Sequence, residues 1–228
     1  MSAGGTTPGR LDLDLRWSLD DPDLLVGLVL VDGLDVRPSD GDLAAWFDVQ
    51  VATVADPPEA TRQATRQLLK RHGFKATGRN KPASEYLAEA RRAGTFPRIL
   101  DVVDVNNALS LETGWPMSVL DLDLCLAASP AGALEVRLGR DGESYVFNPS
   151  GHAIDLSKLL LIAAVDGPAL GNPVKDAMTA KVAPGTRRIA AFLYASKKVA
   201  TPDEVLAVAR RFADRLGGGV ARVVSGPV

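Results

Sequence analysis

The densest run of polar side chains lies between Asp101 and Asp121, where Asp104, Asn106, Asn107, Ser110, Glu112, Thr113 and Ser118 alternate with apolar residues. Two adjacent amides inside a helical pattern are unusual, because Asn competes for backbone hydrogen bonds and prefers caps and turns. Asn107 can donate and accept at once, which suits an amino group, a carbonyl or a ribose hydroxyl. The alternative is that Asn106 or Asn107 satisfies buried backbone at a helix join, and the residues alone leave both readings open.

Other chemistry is sparse. The sequence contains no GxSxG elbow, no GxxxxGK[ST] phosphate loop, no GxGxxG after a strand and no HExxH, so the common hydrolase, nucleotidase and dehydrogenase signatures are missing. Cys125 is the sole cysteine, and His72 and His152 are the only histidines. An intramolecular disulfide is therefore impossible, and no metal or other cofactor is expected. His152 follows Pro149-Ser150-Gly151 and reads as a solvated turn residue. Gly217-Gly218-Gly219 sits at a helix end and reads as a stop rather than a phosphate cradle.

The elements that must position these groups are legible by period. Leu11, Leu13, Leu15, Trp17 and Leu19 alternate as a half-buried strand, an edge strand or ordered arm, and Leu24 to Val31 is a continuous apolar run that predicts a strand buried on both faces. Ser39 and Asp40 predict a helix to about Val54 with Leu43, Phe47 and Val51 on one side. Asp56, as N-cap, with Pro57, Pro58 and Glu59 opens a second helix that runs to Gly73. Lys81-Pro82 opens a third, with Ala83, Leu87 and Ala90 inward, ending at Gly94. Ile99 to Glu112 forms a fourth, closed by Gly114. Strands follow over Met117–Leu122, Leu134–Leu138, Ser144–Phe147, Leu159–Val165 and Arg188–Ala195. Thr201-Pro202-Asp203-Glu204 is a capping box for the last helix, and Val220 to Val224 is a final strand. The expected class is α+β, with helices in the N-terminal half, a mostly antiparallel sheet in the C-terminal half and a C-terminal helix. Residues 1–10 are expected to be a flexible N-terminus and 11–228 a single domain.

Among 228 residues the net charge is only −2, yet residues 1–59 hold 12 acids against 3 bases and residues 60–98 hold 2 against 10. The basic block is either a phosphate footprint or the partner of the acidic third. Arg62, Arg66 and Lys70 recur every four residues along one helix face, with Ala64 and Leu68 inward. The apolar runs are too short to cross a bilayer as a helix, and the N-terminus lacks the apolar core of a secretory signal. A cytoplasmic protein without membrane contact is expected.

Several separated segments carry a resemblance. Asp104-Val105-Asn106-Asn107 through Glu112, with Gly114 to Asp121, resembles the helix-turn-strand segment of the B3/4 domain of the phenylalanyl-tRNA synthetase beta chain, and specifically of its free-standing versions. Lys81-Pro82-Ala83-Ser84-Glu85 is similar to the helix start of those solo proteins. Leu134 to Gly142 with Glu143 resembles a strand and Gly-Glu turn of the family, and Lys181 to Arg187 its lysine-to-threonine segment. Together these span about residues 57–196.

The resemblance implies a B3/4-like fold and an editing function, since in the synthetase this module hydrolyses tyrosine misattached to tRNA. A free-standing copy is expected to be a trans-editing deacylase of mischarged aminoacyl-tRNA. The alternative is a non-catalytic module that binds a free amino acid or tRNA. No DNA partner is expected. Carried over by position, Asn107 matches a polar pocket residue, and Pro116 and Met117 match the entrance turn. Ser118 stands where the synthetase pattern has histidine. Gly171-Asn172-Pro173-Val174-Lys175-Asp176 replaces a Gly-Gly-rich loop ending in glutamate, with Asn172 and Asp176 the nearest polar substitutes. Asn107, Ser118 and Asp176 are thus the expected catalytic groups. Asn106, Pro116, Met117, Gly171 and Asn172 are the expected pocket, and Arg62, Arg66, Lys70, Arg79, Lys81, Lys175 and Lys181 the expected tRNA contacts. Lys175, Lys181, Arg187 and Arg188 have a second reading as exposed strand-end charges.

Overall fold

A computed structural model describes residues 11–226, and the expected flexible segment 1–10 lies outside the described residues. In chain order the strands are β1 (Leu15–Trp17), β2 (Leu24–Val31), β3 (Met117–Asp121), β4 (Leu134–Leu138), β5 (Ser144–Val146), β6 (Ala153–Asp155), β7 (Leu160–Ala164), β8 (Ala169–Gly171), β9 (Ile189–Ser196) and β10 (Val220–Ser225). The helices are α1 (Gly41–Thr53), α2 (Glu59–Lys70), α3 (Ala83–Arg92), α4 (Asp101–Thr113), α5 (Leu122–Ala127) and α6 (Pro202–Arg215).

The class is α+β and the pairing mostly antiparallel, but the strands do not form one C-terminal sheet. One four-stranded sheet runs β10-β2-β9-β3, a second runs β1-β4-β7-β8, and β5 and β6 form a separate hairpin. The β1–β4 pair is the parallel one. Strand β2, from the acidic N-terminal third, lies in the middle of the first sheet between β9 and β10. Its alternation explains its composition. Leu24, Val26, Leu28 and Leu30 enter the core between the two sheets, whereas Leu25, Val29 and Val31 join the core under α4 and α6. A strand with apolar packing on both faces reads as an unbroken apolar run. Its one small residue, Gly27, admits α6, since a Cβ there would lie 2.9 Å from Val205 Cγ1.

Helix ends follow local chemistry. Thr201 and Glu204 form the expected reciprocal capping box on α6. Gly114 ends α4 in the left-handed region at φ 73°, where glycine carries no Cβ penalty. Asp56, expected as the N-cap of α2, is instead held by Arg91 and Arg92 at 2.8 and 3.3 Å, and Pro58 occupies the cap. In α3 the buried face is Ser84, Leu87 and Ala88, so Ala83 and Ala90 are only partly covered. The strand expected over Met117–Leu122 stops one residue early, because the Asp121 side chain accepts from Leu124 N at 3.1 Å and starts α5.

Candidate functional site

Helix α4 presents Val103, Asn106 and Asn107 on one face by its i, i+3, i+4 spacing, and all three line a cavity of about 400 Å³. The neighbouring strand β3 contributes Met117 and Val119, alternate residues that share a face. The loop after β8 contributes Asn172, Val174, Lys175 and Asp176, the segment before β9 contributes Lys181 and Val182, and the β5–β6 hairpin contributes Phe147 and Asn148. A second opening of about 290 Å³, lined by Ala83, Tyr86, Leu87, Asn107, Met117, Val174 and Lys175, extends the cavity toward α3. Residues far apart in sequence thus converge on one cleft.

Gly171 and Asn172 shape the loop that carries Asp176. Asn172 Oδ1 accepts from Val174 N at 2.7 Å and Lys175 N at 2.9 Å, closing a tight turn, and its Nδ2 donates to the Tyr145 hydroxyl. The Tyr145 hydroxyl in turn donates to Lys175 O. Both ends of the Asn172 amide are therefore engaged in fixing the loop. Gly171 leaves room for the carboxyl, since a Cβ there would stand 2.8 Å from Asp176 Oδ1. Ala83 N donates to Pro173 O at 2.9 Å and ties the start of α3 to the same loop.

Asp176 borders the cleft while its carboxyl is enclosed. Oδ1 accepts from Ser118 Oγ at 2.7 Å and from Asn172 N at 3.2 Å. Burial pushes its pKa up to about 7, against the opposing pull of the Ser118 hydrogen bond, the Asn172 and Val119 N–H groups and the Lys181 charge. Ionised carboxylates are disfavoured away from water unless paired or well solvated by donors. The Lys181 ammonium is itself held by Phe147 O at 2.6 Å.

Ser118 does not reach the cleft. It is fully buried on the opposite face of β3 from Met117, where its hydroxyl meets Asp176, the Asn172 carbonyl at 3.3 Å and the Tyr194 hydroxyl at 3.3 Å. Burial raises the Tyr194 phenol well above its ordinary range, so this hydroxyl stays neutral. Ser118 thus touches the carboxyl from behind the cleft wall. Pro116 is also buried and does not line the cleft; its carbonyl accepts from Tyr194 N at 3.0 Å.

The two amides of α4 behave differently. Asn106 Nδ2 donates to Asn107 Oδ1 at 3.4 Å. Asn106 is 5% exposed, and its Oδ1 has no hydrogen-bond partner among the described residues. Buried acceptors in folded proteins are nearly always satisfied, so an orphan at a cavity wall marks a place where a donor is wanted. The alternative reading, in which these amides satisfy a helix join, falls instead to Ser110, whose hydroxyl donates to Trp115 O at 2.7 Å.

The basic block lies mostly elsewhere. Among its described side chains seven cations are in ion pairs: Arg62 with Glu59, Arg66 with Glu85, Arg71 with Asp21 and Asp23, Lys81 with Glu89, Arg91 and Arg92 with Asp56, and Arg98 with Asp48. Five of those acids, Asp21, Asp23, Asp48, Asp56 and Glu59, belong to the acidic N-terminal third. Arg62 and Arg66 line a mixed-charge depression between α2 and α3, on the other side of α3 from the cleft. Lys70 is exposed, and the Arg79 side chain lies outside the described residues. Lys175 and Lys181 are the cations of the expected tRNA set that line the cleft, and Arg188 pairs with Asp123.

The sequence profile of the B3/4 domain matches residues 66–213. The chain belongs to the B3/4 domain family. Within it, 129 residues are 30% identical to the phenylalanine-tRNA ligase beta subunit of Haemophilus influenzae, a match covering 54% of this chain and 15% of that much longer protein. A crystal structure of an N-terminal fragment of the phenylalanyl-tRNA synthetase beta subunit from Pyrococcus horikoshii overlaps 94% of this chain and 51% of its own, with a TM-score of 0.49 at 10% identity. Among the described residues of this B3/4 protein, no helix is long and apolar enough to cross a membrane.

Tyr86, Phe147 and Asn148 were not marked by sequence pattern. Each sits at the cleft through folding of a distant segment, and the one local cue was an aromatic at the end of a strand next to a Pro-Ser-Gly turn.

Proposed function

We propose that this B3/4 protein hydrolyses mischarged aminoacyl-tRNA in trans, in the cytoplasm, with the α4–β3–loop cleft as its active site. The observation that supports the reading is the placement of the Asp176 carboxyl, which burial lifts to about 7, in the wall of a cleft that Asn106 and Asn107 also line. An aminoacyl ester brings an ammonium group and a carbonyl, from which Asn107 would accept and toward which it would donate, while Asn106 Nδ2 holds Asn107 Oδ1 in place. A water attacks the ester carbon, Asp176 takes its proton, and the carbon–oxygen bond to the ribose breaks. The proton then passes to the departing ribose oxygen, leaving a free amino acid and an uncharged tRNA. A base with its pKa near the working pH serves this transfer well. Ser118 acts here as a positioning residue for Asp176, in place of the catalytic role its sequence position suggests.

The runner-up is a module that binds an amino acid or aminoacyl end without turnover. It is favoured by the two donors already on Asp176 Oδ1, which occupy part of the base. Loss of label from a panel of correctly and incorrectly charged tRNAs separates the two. Faster release from a mischarged species, abolished by Asp176→Asn and reduced by Asn107→Ala, supports the hydrolase. If no species is released faster than in buffer while one is still bound, the binding module is correct.

A further inference from the structure

The cleft is polar at one end and aliphatic at the other, and the hydrolysis proposed above uses only the polar end. Asn107 and Met117 stand together where the cleft opens toward α3. Val103 lies one helical turn before Asn107 on the same face of α4, and Val119 lies two residues beyond Met117 on the same face of β3. Ile99, Leu100 and Val182 line the cleft with them. The antiparallel bridge between Leu120 and Lys181 sets Val182 opposite Val119. Leu100 and Val119 belong to the core under α4 and α6, and Val103 and Val182 pack against that core. The aliphatic end is therefore a continuous wall anchored in the fold, with the exposed Ile99 at its edge.

None of these five side chains can donate or accept a hydrogen bond. Ile99, Val103, Val119 and Val182 also branch at Cβ, which restricts χ1 and sets the shape of the wall before a ligand arrives. The polar side chains of the cleft are engaged at other places. Asn172 fixes its own loop, Asn148 Oδ1 accepts from His152 N at 3.0 Å, and Asp176 accepts from Ser118 and Asn172 N. Asn106 Oδ1 has no partner among the described residues, but the atom is itself buried. The nearby rings are covered as well: Lys81 Nζ lies 4.3 Å from the centre of the Tyr86 ring, and Phe147 has Lys175 at 4.1 Å and His152 stacked on it. A phenol hydroxyl entering the aliphatic end would leave water without gaining a partner, and its ring would find no bare aromatic face.

We infer that the aliphatic end holds the side chain of the esterified amino acid and selects a branched aliphatic one, such as leucine, over the tyrosine that the family resemblance implies, with Val103, Val119 and Val182 as determinants. The inference rests on the proposed aminoacyl-ester reading of the cleft, yet it concerns which side chain is chosen and not how the bond breaks. Val103 lies about 6 Å along the helix axis from Asn107. A residue whose amino group and carbonyl engage Asn107 thus lays its side chain against Val103.

The test is isothermal titration of the full-length protein with 3′-aminoacylamino-3′-deoxyadenosines carrying leucine, tyrosine or alanine, whose amide link replaces the scissile ester. The leucyl compound is expected to bind at least about tenfold tighter than the tyrosyl one, whose hydroxyl goes unpaired, and than the alanyl one, which buries less apolar surface. Val103→Phe fills the aliphatic end, so it should shrink the leucyl-to-alanyl ratio to about twofold while leaving alanyl affinity within about threefold of wild type. A merely structural role for Val103 would weaken all three compounds alike. Val182→Asn supplies a donor and an acceptor and should shift the tyrosyl-to-leucyl ratio toward tyrosine by about tenfold. Thermal melts establish that each variant is folded, and if Val103→Phe is not, Val182→Asn carries the same test. Tyrosyl binding as tight as leucyl, an unchanged leucyl-to-alanyl ratio in folded Val103→Phe, or no binding of any compound would each overturn the inference. A leucyl preference with no deacylation of any charged tRNA would remove the hydrolase and leave the selective pocket. Deacylation confined to tyrosyl-tRNA would do the reverse.

Discussion

Removing the Ser118 hydroxyl tests the central electrostatic argument. In the native protein Ser118 Oγ donates to Asp176 Oδ1 at 2.7 Å and lowers a pKa that burial has lifted to about 7. A hydrogen bond to a charged group contributes about 1.5–3 kcal/mol. At about 1.4 kcal/mol per pH unit, losing it in Ser118→Ala moves the Asp176 midpoint upward by about 1 to 2 pH units. The sign for stability follows from the same numbers. The folded protein holds this proton more tightly than the unfolded chain does, so the contribution is fully present below about 4 and is lost as pH rises through about 7. In Ser118→Ala that loss extends further into the alkaline range. Carbon-detected NMR of labelled aspartate carboxyls, with Asp176 assigned by its absence in Asp176→Asn, reads the midpoint directly, and thermal melts against pH read the linkage. The same substitution separates positioning from nucleophilic roles: a deacylation profile displaced to higher pH with its plateau kept fits positioning, whereas a loss at every pH fits a nucleophile. A wild-type midpoint in the ordinary carboxylate range, or an unmoved midpoint in Ser118→Ala, would refute the reasoning.

Two further perturbations address the cleft wall. Gly171→Ala places a methyl 2.8 Å from Asp176 Oδ1 and 3.1 Å from Leu120 Cδ1, so it should destabilise the fold by about 1–3 kcal/mol in denaturant titrations and displace the carboxyl, with deacylation falling more than stability alone explains. Asn106→Leu removes a buried acceptor that has no partner among the described residues, and eliminating such a group relieves a penalty of about 1–3 kcal/mol. Its thermal midpoint should therefore hold or rise while its affinity for a non-hydrolysable aminoacyl-adenosine falls; a lower midpoint with unchanged affinity would mean that the amide supports the fold instead.

Elements with strong local signals were legible in the sequence. Strand β2 announced itself as an apolar run, α4 by its glycine stop and α6 by its capping box. Strands β6 and β8, three residues each, were not read from the sequence. Helix α5 was hidden because Leu120 and Leu122 continue the alternation of β3 across the Asp121 cap. For the site, the helical spacing of Asn106 and Asn107 and the position of Met117 were readable, whereas Asp176 came only through resemblance, since a lone aspartate in a loop has no pattern. The period of a strand already forbids Met117 and Ser118 from sharing a face, and this constraint was the available signal that Ser118 lies behind the wall. The partners of the basic block were not readable, because ion pairing between segments is decided by the tertiary arrangement.

The placement of β2 between β9 and β10 sets a timetable for the molecule. Its residues precede both of its partners by most of the described chain, so they are made long before β9 and β10. Until then β2 and the apolar side of α4 have no sheet to rest against, and such long-range pairing makes folding slow and leaves sticky surface waiting. Strand β3, which carries the floor of the cleft, also pairs with β9. The floor of the cleft is therefore complete only once β9 has been made and has paired with β3, so a copy that lacks β9 has no finished pocket.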